Sequence, residues 1–89
     1  MVSWEVVLSR AAVKDAKKLA RAGLRPQAEW LLRILSEDPY RQPPRFEKLV
    51  GNLAGFYSRR INLQHRLVYQ VDPGAKTVHV LRMWTHYDE

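Results

Sequence analysis

The fold is decided by residues 56–84, whose sequence is FYSRRINLQHRLVYQVDPGAKTVHVLRMW. Runs rich in aromatic and β-branched side chains alternate here with short polar breaks, and Asp72-Pro73-Gly74 is a strong turn signal. Because the links are short, consecutive strands should pair in antiparallel fashion as a meander. The predicted strands are residues 56–63, 65–71 and 77–84.

The N-terminal half adds one strand and two helices to this meander. Residues 2–8 predict a strand, after which Ser9 is a suitable helix N-cap. Apolar positions then recur at helical spacing in two segments. The first helix ends at Gly23, which suits a left-handed C-cap. The second begins at Pro26 and stops at Asp38-Pro39. The sequence therefore predicts an α+β domain of order β-α-α-β-β-β, with both helices packed on one face of a four-stranded, mainly antiparallel sheet.

Length and composition limit the class of protein. Eighty-nine residues support one domain, 1–89, and 15 basic against 9 acidic residues give a formal charge of +6 that favours polyanionic partners. The absence of cysteine excludes disulfides and suits a reducing compartment. No apolar run approaches the roughly 20 residues that span a bilayer, and the N-terminus lacks the form of a signal peptide. We expect a cytoplasmic protein with no membrane partner.

Strand alternation brings two arginines together. Arg60 shares a face of its strand with Ser58, whereas Arg59 shares the opposite face with Tyr57. Arg66 points away from the apolar side of the next strand. If the helices cover the apolar face, Arg60 and Arg66 stand side by side on the open face of the sheet.

The last strand has two possible orientations. Either Val78 and Val80 face the core, or Leu81 and Met83 do, and alternation alone does not choose between them. Arg82 joins the open face only in the second case.

The open face and its neighbours contain the groups that metal-free RNA cleavage requires, namely a base, an acid and cations for the phosphate. Glu47 and His86 can transfer protons, and arginines such as Arg60 and Arg66 can bind phosphate oxygens in a bidentate manner. Taken singly, each residue also has an ordinary interpretation: a solvated carboxylate, surface charge, or a histidine in a frayed terminus.

Neither a metal site nor a cofactor is predicted. The histidines are not spaced as paired ligands and have no accompanying cysteine or acidic cluster, and the Gly51 to Gly55 stretch lacks the Lys-Ser or Lys-Thr of a nucleotide-binding loop.

Three segments carry a resemblance to a known family: NLAGFYSRRI at residues 52–61, HRLVY at 65–69 and the terminal His86-Tyr87. Together they resemble the YoeB/Txe branch of the RelE toxin superfamily. The resemblance implies a microbial-ribonuclease-like fold and a toxin of a toxin-antitoxin pair that cuts mRNA in the ribosomal A site.

The same resemblance implies roles for individual residues. Glu47 corresponds to the general base for the 2′-hydroxyl, Arg66 to the arginine that stabilises the phosphate, and His86 to the general acid. The predicted substrate-binding residues are Arg59, Arg60, Tyr87 and Lys48.

The resemblance also implies partners. They are the ribosome with its mRNA, and a cognate YefM/Phd-like antitoxin whose acidic, partly disordered C-terminal segment covers the basic toxin. Promoter DNA is expected to bind mainly through the antitoxin, and both a monomer and a homodimer are compatible with the sequence. Two other classes stay open: a non-catalytic ParE-like toxin that inhibits its target by protein contact, and a small basic RNA-binding protein.

Overall fold

A computed structural model describes residues 3–84, apart from the side chain of Leu53. Two helices lie against one face of a mixed sheet, with a single-turn 3₁₀ helix at Gly51–Leu53. The elements in chain order are β1 (Glu5–Leu8), α1 (Arg10–Arg21), α2 (Arg25–Glu37), β2 (Glu47–Lys48), β3 (Phe56–Arg60), β4 (Arg66–Asp72) and β5 (Thr77–Arg82).

The described residues form a five-stranded sheet in the order β1-β5-β4-β3-β2, so the predicted count of four strands is wrong. The additional strand, β2, contains only Glu47 and Lys48, and it pairs with β3 in antiparallel fashion. A two-residue strand leaves no alternation pattern in the sequence, and it forms because the outer edge of β3 has backbone groups to pair. The β3-β4-β5 meander is confirmed, and β1 adds to β5 in parallel.

Both ends of α1 are capped by the residues that the sequence indicates. The Ser9 hydroxyl accepts a hydrogen bond from the Ala12 amide, and Gly23 adopts the left-handed conformation with φ of 78°. The Leu24 amide donates to the Leu19 carbonyl, which makes the end a Schellman motif. No helix within residues 3–84 is long and apolar enough to cross a membrane.

The core lies between the two helices and the inner face of the sheet. Alternation places Leu67 and Tyr69 of β4 on this inner face, where both are fully buried. The helices contribute apolar side chains at helical spacing. The buried core cluster comprises Ala12, Leu19, Ala28, Leu31, Leu35, Ile61, Leu67, Tyr69, Val78, Val80 and Met83.

The orientation of β5 is settled in favour of Val78 and Val80, which are buried against the helices while Leu81 is exposed. Arg82 therefore lies on the helix side, where it pairs with Asp15 of α1 instead of joining the open face. Met83 is nevertheless buried, because β5 ends at Arg82 and the alternation no longer applies beyond it.

Candidate functional site

A cavity of about 290 Å³ opens on the sheet face opposite the helices. Its position follows from strand register: Glu47 of β2 lies opposite Ser58 of β3, and Arg60 of β3 lies opposite Arg66 of β4. Because paired residues project to the same face, three strands supply one site. The lining residues are Pro44, Arg45, Glu47, Ser58, Arg60 and Arg66.

Glu47 is held in this cavity by arginine. Its Oε1 accepts a hydrogen bond of 3.0 Å from Nη1 of Arg66, and its Oε2 lies 3.9 Å from Nη2 of Arg45. The same Arg66 nitrogen lies 3.4 Å from the Ser58 hydroxyl. Glu47 remains about half exposed, whereas the Arg66 side chain is only 19% exposed. The carboxylate is thus accessible from solvent, and the guanidinium that orients it is largely fixed.

Arg60 and Arg66 bring two positive charges together on neighbouring strands, and the Glu47 carboxylate partly offsets them through its hydrogen bond from Arg66. Like charges directly opposite each other on neighbouring strands destabilise a sheet. Among the residues that the structure describes, the cavity is lined by the guanidinium groups of Arg45, Arg60 and Arg66 and by the carboxylate of Glu47. Such an excess of fixed positive charge beside a carboxylate is suited to binding a phosphate group.

Arg59, which the sequence analysis predicts to bind substrate, does not line this cavity. It is 1% exposed and faces the helix side of the sheet. Its guanidinium donates hydrogen bonds to the Tyr69 hydroxyl and to the carbonyls of Pro39 and Pro44, and it lies over the rings of Tyr69 and Phe46. A buried charge needs such partners, so Arg59 fastens the loop between α2 and β2 to the sheet.

Lys48, another predicted substrate-binding residue, does not lie beside Glu47 on the cavity side of the sheet. It is exposed, but it pairs in register with Tyr57, so it belongs to the opposite face of β2 from Glu47. Since neighbouring strand residues project to opposite faces, Lys48 cannot share the Glu47 side of the sheet. It does not line the cavity.

Two predicted site residues, His86 and Tyr87, lie outside the described residues. The cavity adds Arg45 and Ser58, which the sequence-based site did not include. The position of Ser58 in the cavity could be inferred from the sequence, because Ser58 shares a face of its strand with Arg60. Arg45 is two positions before Glu47, so an extended backbone places both side chains on one side. The prolines before it gave no indication that the backbone there continues into a strand.

Several solved structures that are similar to this chain are toxins. The chain is similar to the YoeB/ParE toxin from Agrobacterium tumefaciens, with a TM-score of 0.83 and 28% identity over 93% of this chain and 99% of that one. It is also similar to YoeB in the YoeB dimer from Staphylococcus aureus, with a TM-score of 0.80 and 31% identity over 96% of this chain and 99% of that one. The YoeB-YefM complex of the same organism matches with a TM-score of 0.76 and 32% identity, over 94% of this chain and 98% of the matched chain. The fold and the site thus define a small toxin of this structural class.

Sequence comparison makes the assignment more specific. Residues 13–87 match the family model described as "YoeB-like toxin of bacterial type II toxin-antitoxin system". Toxin YoeB of Mycobacterium bovis is 38% identical over 96% of this chain and 89% of its own length. Toxin YoeB of Synechocystis is 40% identical over 57 residues, which span 59% of that protein. This chain belongs to the YoeB-like toxin family.

Proposed function

We propose that this toxin is a metal-independent endoribonuclease that cuts ribosome-bound mRNA in the A site and thereby inhibits translation. The observation that carries the proposal is the Glu47 carboxylate, held 3.0 Å from the Arg66 guanidinium in an open cavity that Arg60 also lines. RNA contains its own nucleophile, the ribose 2′-hydroxyl, so the protein needs to supply only proton transfer and charge stabilisation.

Glu47 is the proposed base. In the proposed step its carboxylate takes the 2′-hydroxyl proton while the 2′-oxygen forms a bond to the adjacent phosphorus. A guanidinium has five donors in a fixed fork, so Arg66 can bind a phosphate oxygen while it holds Glu47. Arg60, on the neighbouring strand, faces the same phosphate and offsets the negative charge that grows on the phosphorane.

His86 is the proposed acid, with Tyr87 beside it to orient the substrate. The imidazolium gives a proton to the 5′-oxygen as the bond between phosphorus and that oxygen breaks. The products are a 2′,3′-cyclic phosphate and a 5′-hydroxyl, and one proton is taken up at Glu47 for each one released from His86. A histidine is suited to this step because its pKa lies near neutral pH.

The proposed partners are supported by the basic charge of this chain and by the solved structures of similar toxins. A YefM-like antitoxin with an acidic segment is supported by the solved YoeB-YefM complex of Staphylococcus aureus, together with the +6 charge of this chain. A homodimer is supported by the solved YoeB dimer. We further propose that promoter DNA is bound mainly through the antitoxin, and that the toxin acts in the cytoplasm.

Primer extension on mRNA in a reconstituted translation system tests the activity. Wild-type protein should create new 5′ ends at A-site codons. Glu47→Gln should lower the cleavage rate by roughly 10² to 10⁴, the usual contribution of a positioned acid or base, and His86→Ala should do the same. Arg66→Gln should lower it by about 10² to 10³, as removal of one charge-stabilising donor does.

Matched controls are available on α2, where Arg25 and Glu29 form an exposed ion pair of 2.7 Å. Arg25→Gln and Glu29→Gln make the same chemical changes away from the cavity and should leave the cleavage rate unaltered. Full cleavage by folded Glu47→Gln would remove the proposed base. Toxicity with intact mRNA would contradict the nuclease proposal and favour inhibition through protein contact.

A further inference from the structure

A second cavity, of about 180 Å³, opens on the same sheet face as the Glu47 cavity. The residues that line it include Phe56, Gln70 and His79. These three occupy matching positions on β3, β4 and β5, because Phe56 pairs in register with Gln70, and Gln70 with His79. Since paired residues project to the same face, they form one row across the sheet, which we call the Phe56 row.

The Phe56 row runs beside the Glu47 cavity, one step further along the strands. On β3, Phe56 precedes Ser58 by two residues and Arg60 by four, so the row lies about 7 Å from Ser58 and about 13 Å from Arg60. Glu47 pairs with Ser58, and Arg66 pairs with Arg60. The order of groups along this face is therefore the arginine pair, the proposed base and then the Phe56 row.

The residues of the Phe56 row are chemically suited to hold a nucleobase. Phe56 is partly exposed, and Gln70 and His79 are exposed. Bases of single-stranded RNA stack on the faces of phenylalanine and histidine rings, and a glutamine amide offers both donors and an acceptor to a base edge. Val7, which pairs with His79, and Leu81 add exposed apolar surface to the same cavity.

The distribution of charge along this face orients a bound nucleotide. On the side of the Phe56 row away from the arginine pair, Asp72 pairs with Thr77 and Thr77 pairs with Glu5. Asp72 and Glu5 are both exposed. A phosphate group is attracted by the arginines and repelled by these carboxylates. A nucleotide whose phosphate lies between the arginines is thus oriented with its uncharged base towards the Phe56 row.

We propose that the Phe56 row binds the base of the nucleotide whose 2′-hydroxyl attacks, on the 5′ side of the phosphate that is cut. This inference rests on the proposed function, in which the ribose carrying that hydroxyl lies at Glu47. Because Glu47 stands between the arginine pair and the row, the base of the same nucleotide is the group that reaches the row. Phe56 and His79 supply ring faces for stacking, and Gln70 supplies hydrogen bonds to the base edge.

Removal of one base from the mRNA tests this proposal. Ribosomes are programmed with two mRNAs that differ only at the attacked nucleotide, which is either intact or abasic with its ribose and phosphates retained. With wild-type protein at a subsaturating concentration, loss of the base should lower the single-turnover cleavage rate by roughly 5- to 150-fold, the contribution of one stacked base.

Variants of the row should slow cleavage only when the base is present. On intact mRNA we expect Phe56→Leu to lower the rate by about 5-fold or more, and Gln70→Ala by about 2- to 10-fold. On abasic mRNA neither variant should lower the rate further, because the group that these side chains bind is already absent. If Phe56→Leu reduces folded yield, Gln70→Ala replaces it, since its side chain is exposed.

Trp30→Leu and Gln27→Ala are the matched controls. Both residues are exposed on α2, which lies against the other face of the sheet, and both substitutions should leave the two rates unchanged. An equal loss of rate on intact and abasic mRNA in the row variants would overturn the proposal, because the row would then contact the ribosome or support the fold. An unchanged wild-type rate on abasic mRNA would overturn it as well.

A binding measurement separates this proposal from the proposed function. An mRNA with 2′-deoxyribose at the attacked nucleotide lacks the nucleophile, so it can be bound but not cut. Wild-type protein should bind ribosomes carrying this mRNA about 5-fold or more tightly when the base is present than when it is absent, and Phe56→Leu should reduce that difference.

The two proposals can then fail independently. If wild-type protein does not cleave ordinary mRNA but binds in this base-dependent way, the nuclease function fails and the base-binding site stands. If cleavage proceeds with no dependence on the base, in rate or in affinity, the nuclease function stands and the base-binding site is overturned.

Discussion

Two consecutive arginines of β3 have opposite roles because strand geometry sends them to opposite faces. Arg60 projects into the cavity, whereas Arg59 is buried and bonded to backbone carbonyls and a tyrosine hydroxyl. The sequence indicated that the two faces differ, since Arg59 alternates with the apolar set. It did not indicate that an arginine on the apolar face would be fully enclosed, because the carbonyls that accept its bonds come from Pro39 and Pro44 in a separate loop.

A pair of leucine substitutions tests this difference. Arg59→Leu leaves buried carbonyl groups without donors, so we expect a loss of about 3 kcal/mol in the free energy of unfolding. Arg60→Leu removes a like-charge repulsion with Arg66 and should change stability by less than about 0.5 kcal/mol, while it lowers cleavage. Urea unfolding with primer extension on both variants measures the two effects. Equal stability of the two variants would contradict the assigned role of Arg59.

At the scale of elements, most boundaries follow from local signals, as the capping of α1 illustrates. Ser9 accepts the Ala12 amide, and its own hydroxyl donates to the Leu81 carbonyl at 2.8 Å. One side chain thus both begins the helix and joins it to β5. The first function was predictable from the sequence. The second was not, because Leu81 is 72 positions away and only packing brings it near.

Ser9→Ala should therefore cost more than an ordinary serine substitution. We expect a loss of about 1 to 2 kcal/mol, the upper part of the usual range for N-caps, because the bond to β5 is lost as well. Ser36→Ala is the control: its hydroxyl donates only within α2, to the Arg33 carbonyl, and we expect a loss of a few tenths of a kcal/mol. Thermal unfolding of both variants measures the difference, and equal losses would argue against the bond to Leu81.

For the whole molecule, the buried Asp15 carboxylate joins the helical layer to the sheet, since it accepts hydrogen bonds from the Arg82 side chain and from the amides of Met83 and Trp84. This contact makes stability depend on pH. The pKa of Asp15 in the folded state lies below the ordinary 3.8, so folding favours the ionised form. The corresponding stabilisation is complete above about pH 5 and decreases as the pH falls through the ordinary value towards the lower folded value. Acid should thus loosen the contact between α1 and the chain after β5.

We expect Asp15→Asn to be less stable than wild type near neutral pH, with the difference in unfolding free energy shrinking below about pH 4. Urea unfolding at several pH values measures it, and Asp72→Asn corrects for the loss of one negative charge. A difference that stays constant with pH would show that Asp15 is not ionised preferentially in the folded protein.

The sequence by itself determined the helices, the three-stranded meander and the common face of Arg60 and Arg66, since these depend on periodicity and turn chemistry within short segments. Only the tertiary structure decided the fifth strand, the burial of Arg59, the orientation of Lys48 away from the cavity and the pairing of the buried Asp15 with Arg82. Asp15 and Arg82 are 67 positions apart. Local patterns fix which face of an element a side chain occupies, but the partner it meets depends on how distant elements pack.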